Sequence, residues 1–335
     1  MPKPRKAQIS LDATPYYHCI SRCVRRSFLC GIDQYTGKSY EHRRQWVEDR
    51  LILLARTFAI DVCAFAVMSN HTHTVLRINE AKAENWSTRD VIERWHCIFA
   101  GTTVSKRFLK GDTLLECELN QITTLAKLWR ARLQDISWFM RSLNEPIARA
   151  ANQEDQCTGR FWEGRFKCQA LLDEQAVAAC LAYVDLNPIR AGMANSPESS
   201  DHTSVQKRIK AAKSDSPYQP DYLLPFVGNS RKDQPDGLQF NLQDYLELVD
   251  WTGRIQREDK RGSISTTLPP ILQRLNINEA QWMQLTGKME SLFPTFVGHA
   301  DRVKIASKTL GHQRVSDLAK YRSLFDLRHP LFHLV

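Results

Sequence analysis

"DVCAFAVMSNHTHTVLRI", residues 61–78, is the stretch whose reading decides the fold. "DVCAFAVM" (61–68) is an apolar run of strand length, and Ser69-Asn70 is a turn pair. "HTHTVLRI" (71–78) resumes as a strand, so the two halves form a hairpin. Successive side chains on a strand point to opposite faces. Thr72, Thr74, Leu76 and Ile78 share one face, and His71, His73, Val75 and Arg77 share the other. Two imidazoles on one face lie close enough to hold one divalent ion. H-x-H also arises by chance, and a histidine is more often an ordinary hydrogen-bonded residue, so the motif alone leaves both readings open.

On the N-terminal side of the hairpin, "PYYHCISRCV" (15–24) reads as a first strand, and "EHRRQWVEDRLILLARTFAI" (41–60) as a helix with Trp46, Leu51, Leu53, Leu54 and Phe58 at near-helical spacing. On the other side, a long helical excursion runs over 79–132. "DISWFMRSLNEPIARAAN" (135–152) follows as an amphipathic helix with Pro146 as a kink. "RFWEGRFKCQALL" (160–172) is strand-like, and Asp173 is placed to cap the alanine-rich helix "EQAVAACLAYVDLN" (174–187). Strand, helix, strand, strand, helix, strand, helix predicts an α+β protein with a ferredoxin-like antiparallel sheet, packed helices and a helical insertion over 79–132. Ser-, Pro- and Asp-rich stretches after Gly192 predict a linker over 196–239. Patterns such as "LQDYLELVDWTGRI" predict a mostly helical C-terminal domain over 240–335, with residues 1–195 as the first domain.

The chain of 335 residues carries a net charge of +9, unevenly spread. Residues 1–30 hold Lys3, Arg5, Lys6, Arg22, Arg25 and Arg26 against one acid, Asp12. Such clustering suits a phosphate-rich partner, and it equally suits a solvated surface. No apolar span reaches the roughly 18 residues of a membrane helix, and "MPKPRKAQISLD" lacks a signal peptide's apolar core. The expectation is a cytoplasmic protein without membrane attachment. Nine scattered cysteines argue against a disulfide framework, and Cys19, Cys23 and Cys30 read as packed thiols rather than a zinc site.

The helix at 174–187 offers further chemistry. Tyr183 and Asn187 lie four residues apart on one face, beside the small residues Ala176, Ala179 and Cys180. A tyrosine hydroxyl can act as a nucleophile and an asparagine amide oxygen as a metal ligand. The plain alternative is a helix packed on a sheet, with Tyr183 as a core residue whose hydroxyl finds a partner.

Four ordered pieces, "MSNHTH" (68–73), "ISWFMRSLN" (136–144), "GRFWEGRFK" (159–167) and "AYVDLNPIRAG" (182–192), resemble the HUH single-tyrosine transposases, and among them the REP-associated tyrosine transposases. The resemblance covers roughly residues 12–195. It implies a ferredoxin-like catalytic domain of a bacterial, nucleoid-associated protein that cuts and rejoins single-stranded or hairpin DNA. By position it implies His71 and His73 as metal ligands, Tyr183 as nucleophile and Asn187 as the third ligand. Thr72 stands where the family usually carries a bulky apolar residue, the insertion 79–132 is longer than in compact members, and residues 200–335 have no counterpart in the short ones. The implied reaction is a transesterification through a covalent 5′-phosphotyrosine, assisted by Mg²⁺ or Mn²⁺. Arg22, Arg25, Arg26, Arg160, Arg165 and Lys167, interleaved with Phe161 and Trp162, would hold DNA through phosphate contacts and base stacking. Two other functions fit the same residues: a DNA-binding protein with the chemistry idle, and a metal-dependent nuclease that uses water while Tyr183 is structural. The role of residues 240–335, the oligomeric state (a homodimer among the options) and the DNA site stay open.

Overall fold

The structure, a computed structural model, describes residues 8–24, 29–33, 35–214, 218–228, 235–256, 269–312 and 317–325. The chain begins with β1 (Tyr16–Arg22), α1 (His42–Thr57) and the hairpin β2 (Ile60–Val67) and β3 (His71–Ile78). Then come α2 (Glu80–Glu84), α3 (Thr88–His96), α4 (Thr103–Lys110), α5 (Glu116–Leu133) and α6 (Ile136–Glu154). β4 (Lys167–Leu171), α7 (Glu174–Asp185), α8 (Asn187–Arg190) and α9 (Ser204–Lys213) follow. The C-terminal part holds α10 (Leu242–Gln256), α11 (Pro270–Leu275), α12 (Glu279–Leu292), β5 (Phe296–Val297), α13 (Ala300–Thr309) and α14 (Leu318–Phe325).

The fold is α+β, built on a mixed five-stranded sheet in the order β2-β3-β1-β4-β5. Its first four strands follow the ferredoxin-like order expected of a strand-helix-strand-strand-helix-strand chain. β1 and β4 are antiparallel, with His18 opposite Gln169 and Cys19 opposite Cys168. β5 adds a parallel edge to β4 through Ala170 opposite Phe296. The hairpin turn closes through Met68 N–H donating to the His71 carbonyl at 2.9 Å. The strand expected over 160–172 is confined to 167–171. Gly159, at φ +115°, starts an irregular lead-in that pairs through an isolated Cys23–Trp162 bridge and the Val24 N–H donating to the Phe161 carbonyl at 3.0 Å.

The chain divides into two compact units. The first comprises residues 1–22, 62–76 and 164–335 and contains most of the sheet. In it α7 is buried on all sides from Gln175 to Asp185, as its alanine-rich composition requires, and it packs between β4 and α12. Asp173 caps α7 by accepting from Ala176 N–H at 2.9 Å. The stretch 196–239, expected as a linker, carries α9, fastened to β2: Ser204 Oγ accepts from Phe65 N–H at 2.8 Å and Arg208 donates to the Cys63 carbonyl at 2.7 Å. Asp185 at the end of α7 is fully buried and accepts from Ser204 Oγ (2.5 Å), Val205 N–H (3.1 Å) and Tyr245 Oη (2.5 Å), which ties α7, α9 and α10 together.

The second unit comprises residues 23–61 and 77–163 and is helical, as expected for the insertion. Trp95 of α3 stacks on Trp129 of α5 with ring centroids 4.9 Å apart, and Phe58 meets Phe139 of α6 edge-on at 5.3 Å. The buried Arg43 guanidinium is held by Glu154 at 2.8 Å and Asp155 at 2.5 Å. All nine cysteines are free thiols, with Cys19, Cys23 and Cys30 packed inside as anticipated. Among the described residues, no helix is long and apolar enough to cross a membrane.

Candidate functional site

Within the first unit, the fold brings together His71 and His73 from β3, Tyr183 from α7 and His18 from β1. The His71 and His73 rings lie 4.8 Å apart between centroids, as side chains two positions apart on one strand face must. The His73 and Tyr183 rings meet edge-on at 5.7 Å, and the His18 and Tyr183 rings at 5.9 Å. His18 and His73 stack at 5.1 Å and share a hydrogen bond, Nε2 of His18 to Nδ1 of His73, of 2.9 Å. His18 reaches across the β1–β4 ladder to its cross-strand partner, Nδ1 to Gln169 Oε1 at 2.7 Å. Gln169 Nε2 in turn donates to the Phe293 carbonyl just beyond α12. His71 Nδ1 pairs with Asn70 Oδ1 of the turn at 2.6 Å.

Burial sets the charge of these groups. It pushes His18 and His71 down to about 4, and His73 well below the usual histidine value, with the Arg22 charge adding to the effect on His71 and His73. At neutral pH the three imidazoles are uncharged and keep lone pairs. Burial raises the Tyr183 phenol, and the Arg190 guanidinium opposes that rise. Arg190 of α8 lies over the Tyr183 ring, Cζ 4.2 Å from its centroid, and donates to the Thr286 carbonyl of α12 at 2.7 Å. Burial lowers the Arg190 guanidinium itself to about 10.

Asn187 occupies the start of α8 rather than the end of α7. Pro188 has no N–H for the helical bond, and this divides the two helices. Leu186 between them keeps αR torsions of −89° and −2°, so Asn187 still follows Tyr183 by about one turn, largely buried. Of the residues expected on DNA, Arg22 ends β1 and its charge reaches His71, His73 and Glu290. Lys167 at the head of β4 pairs with Glu290 of α12 at 2.8 Å. Burial raises the Glu290 carboxyl, but its bond to Lys167 and that lysine's charge outweigh this and hold it down. Arg165 is exposed on the approach to β4. Arg160 and Trp162 belong to the second unit, where Arg160 is exposed and the Trp162 indole donates to the Asn144 carbonyl at 2.9 Å. Arg25 and Arg26 lie outside the described residues.

His18, Gln169, Arg190 and Glu290 join the site without having been singled out from sequence. The available signal was faint: a histidine and a glutamine set in otherwise apolar strands.

The residues can be tested against a divalent cation. Among the described residues, no three His, Cys, Asp or Glu side chains gather as a metal site. His18 offers no lone pair to such a site, because both of its ring nitrogens are hydrogen-bonded, to Gln169 and to His73. The His71–His73 pair does fit. Nε2 of His73 is buried with no hydrogen-bond partner among the described residues, and a neutral imidazole nitrogen left over in this way is free to ligate a divalent cation. Two imidazoles would need oxygen donors to complete the shell, from Asn187 or from a bound phosphate.

No family model matches the chain, and no curated protein matches it. A solved structure of a REP-associated tyrosine transposase bound to a REP hairpin aligns over 66% of this chain and 93% of that one, at 12% identity and a TM-score of 0.37, an overlap too loose to bear on what this chain does.

Proposed function

We propose that this protein is a DNA-nicking and rejoining enzyme of the single-tyrosine transposase type, with Tyr183 as the nucleophile. One observation carries the reading: the Tyr183 ring sits 5.7 Å from His73, with the Arg190 charge over its face. A half-buried arginine over the ring and a buried imidazole nitrogen of His73 with no hydrogen-bond partner among the described residues support this reading. The four motifs that resemble the HUH family add to this support.

In the proposed step, Tyr183 Oη bonds to a scissile phosphorus and the bond to the 3′-oxygen breaks. The phenolic proton is released and the departing 3′-oxygen takes one up. The 5′-phosphate stays on the tyrosine until a 3′-hydroxyl reverses the exchange, so no external energy source is needed. A phenol is a weak nucleophile at its ordinary pKa of about 10, and burial makes Tyr183 weaker still. Arg190 counters this by stabilising negative charge on the phenol oxygen. When bound at His71 and His73, with Asn187 as a third donor, Mg²⁺ or Mn²⁺ would supply Lewis-acid polarisation of a non-bridging phosphate oxygen. Arg22, beside the histidines, and the exposed Arg165 would contact DNA phosphates.

The test is incubation of the full chain with single-stranded hairpin DNA and Mn²⁺ or Mg²⁺, followed by a denaturing gel. A shifted band that resists denaturant is expected, and Tyr183→Phe should abolish it while leaving DNA binding nearly intact. A nuclease that uses water would cut without an adduct, and a non-catalytic binder would do neither. Either result would overturn the reading.

A further inference from the structure

The hydrogen bonds behind His73 form a chain in which every donor can be assigned. A backbone carbonyl only accepts, so the Gln169 atom facing Phe293 O must be the amide nitrogen. That turns Gln169 Oε1, which also only accepts, toward His18 Nδ1, and His18 must carry its proton there. With Nδ1 protonated, Nε2 of His18 is the lone pair, so His73 donates to it from Nδ1. The proton of His73 is thereby used, and its buried Nε2 is left bare, with no partner among the described residues.

From this chain we infer that His18 and Gln169 are positioning residues that lock His73 in one tautomer, holding its Nε2 lone pair toward a divalent cation. This rests on the reading of His71 and His73 as metal ligands and extends it to residues outside the H-x-H motif. The lock reaches from the Phe293 carbonyl at the C-terminus of α12 through β4 and β1 to β3. It gives the C-terminal segment a physical link to the site. Asn70 plays the equivalent part for His71, where an amide oxygen on Nδ1 directs the lone pair to Nε2. Second-layer partners of this kind fix ring orientation and basicity, and their loss typically weakens metal affinity by about 10–100-fold.

The test uses the full chain with histidine labelled in ¹⁵N. Long-range proton–nitrogen spectra of the metal-free protein, with the His73 signals assigned by His73→Gln, report which nitrogen carries the proton. Protonated Nδ1 and bare Nε2 are expected, and a proton on Nε2 in the wild-type protein would overturn the inference without any variant. Mn²⁺ alone, titrated by electron paramagnetic resonance, supplies the second readout. Gln169→Leu removes the acceptor and should weaken Mn²⁺ about 10–100-fold. Gln169→Glu keeps an acceptor for His18 but loses the donor to Phe293, so it should cost stability yet retain most of the Mn²⁺ affinity. Equal affinity in Gln169→Leu and wild type, or affinity that tracks stability across the two variants, would refute the lock. A wild-type protein that shows the expected tautomer but binds no Mn²⁺ would overturn the metal-site reading itself, and with it the purpose assigned to the lock.

Discussion

Removing the Arg190 charge should slow formation of the proposed adduct while leaving the fold in place. The guanidinium lies 4.2 Å from the centre of the Tyr183 ring, over which a phenolate spreads its charge. At about 4 Å and an effective dielectric near 20, a full unit charge on each partner interacts by about 4 kcal/mol. If roughly half of that charge has developed in the transition state, the loss is about 2 kcal/mol, or roughly 30-fold in rate at about 1.4 kcal/mol per tenfold. Arg190→Gln is the informative change, and Arg190→Lys is its control, because it keeps the charge. Both also deprive the Thr286 carbonyl of a donor, at about 1–3 kcal/mol of stability. Stability loss common to the two variants is thereby separated from the effect of charge. Single-turnover adduct formation, with saturating Mn²⁺ and excess oligonucleotide, quenched in detergent, gives the rates. Arg190→Gln should fall about 10–100-fold below wild type, with Arg190→Lys in between. Equal rates for Arg190→Gln and wild type would refute the activating role of this arginine.

Two further outcomes follow from the buried groups. The folded His18 value of about 4 lies below the ordinary 6.5, so its stability contribution is complete above pH 6.5 and is lost as pH falls toward 4, where only the unfolded chain takes up the proton. That gap is worth roughly 3 kcal/mol, and urea unfolding in a chelator should show wild type losing about that much more than His18→Gln between pH 7 and 4; parallel losses would contradict it. Tyr245→Phe removes one of three donors to the buried Asp185 and should lower stability by about 1–3 kcal/mol in urea unfolding, and an unchanged midpoint would show that this bond between α10 and α7 contributes nothing.

The parts of the fold set by local pattern could be read directly. Ser69-Asn70 between an apolar run of strand length and an alternating one specifies the hairpin, and Asp173 before an alanine-rich run specifies the start of α7. Longer-range pairings could not. His18 gains its role from Gln169, 151 residues away, through a ladder register that no local spacing encodes. β5 is two residues long, too short for any periodicity, yet it sets the C-terminal segment beside β4. The stretch 196–239 reads as a linker from its serines and prolines, but Ser204 and Arg208 are buried against backbone groups of β2, and composition does not report such partners. The sequence spacing puts Asn187 one turn from Tyr183, and the helix break forced by Pro188 falls between them without undoing that spacing.

The most direct measurement is the mass of the DNA-linked peptide. Trypsin cuts after Lys167 and after Arg190, so Tyr183 falls in the fragment 168–190. After reaction with hairpin DNA, nuclease trimming and digestion, that fragment should carry a nucleotide joined through its 5′-phosphate, with fragmentation placing it on Tyr183. A nucleotide on any other residue, or cleaved DNA with an unmodified 168–190 fragment, would contradict the account.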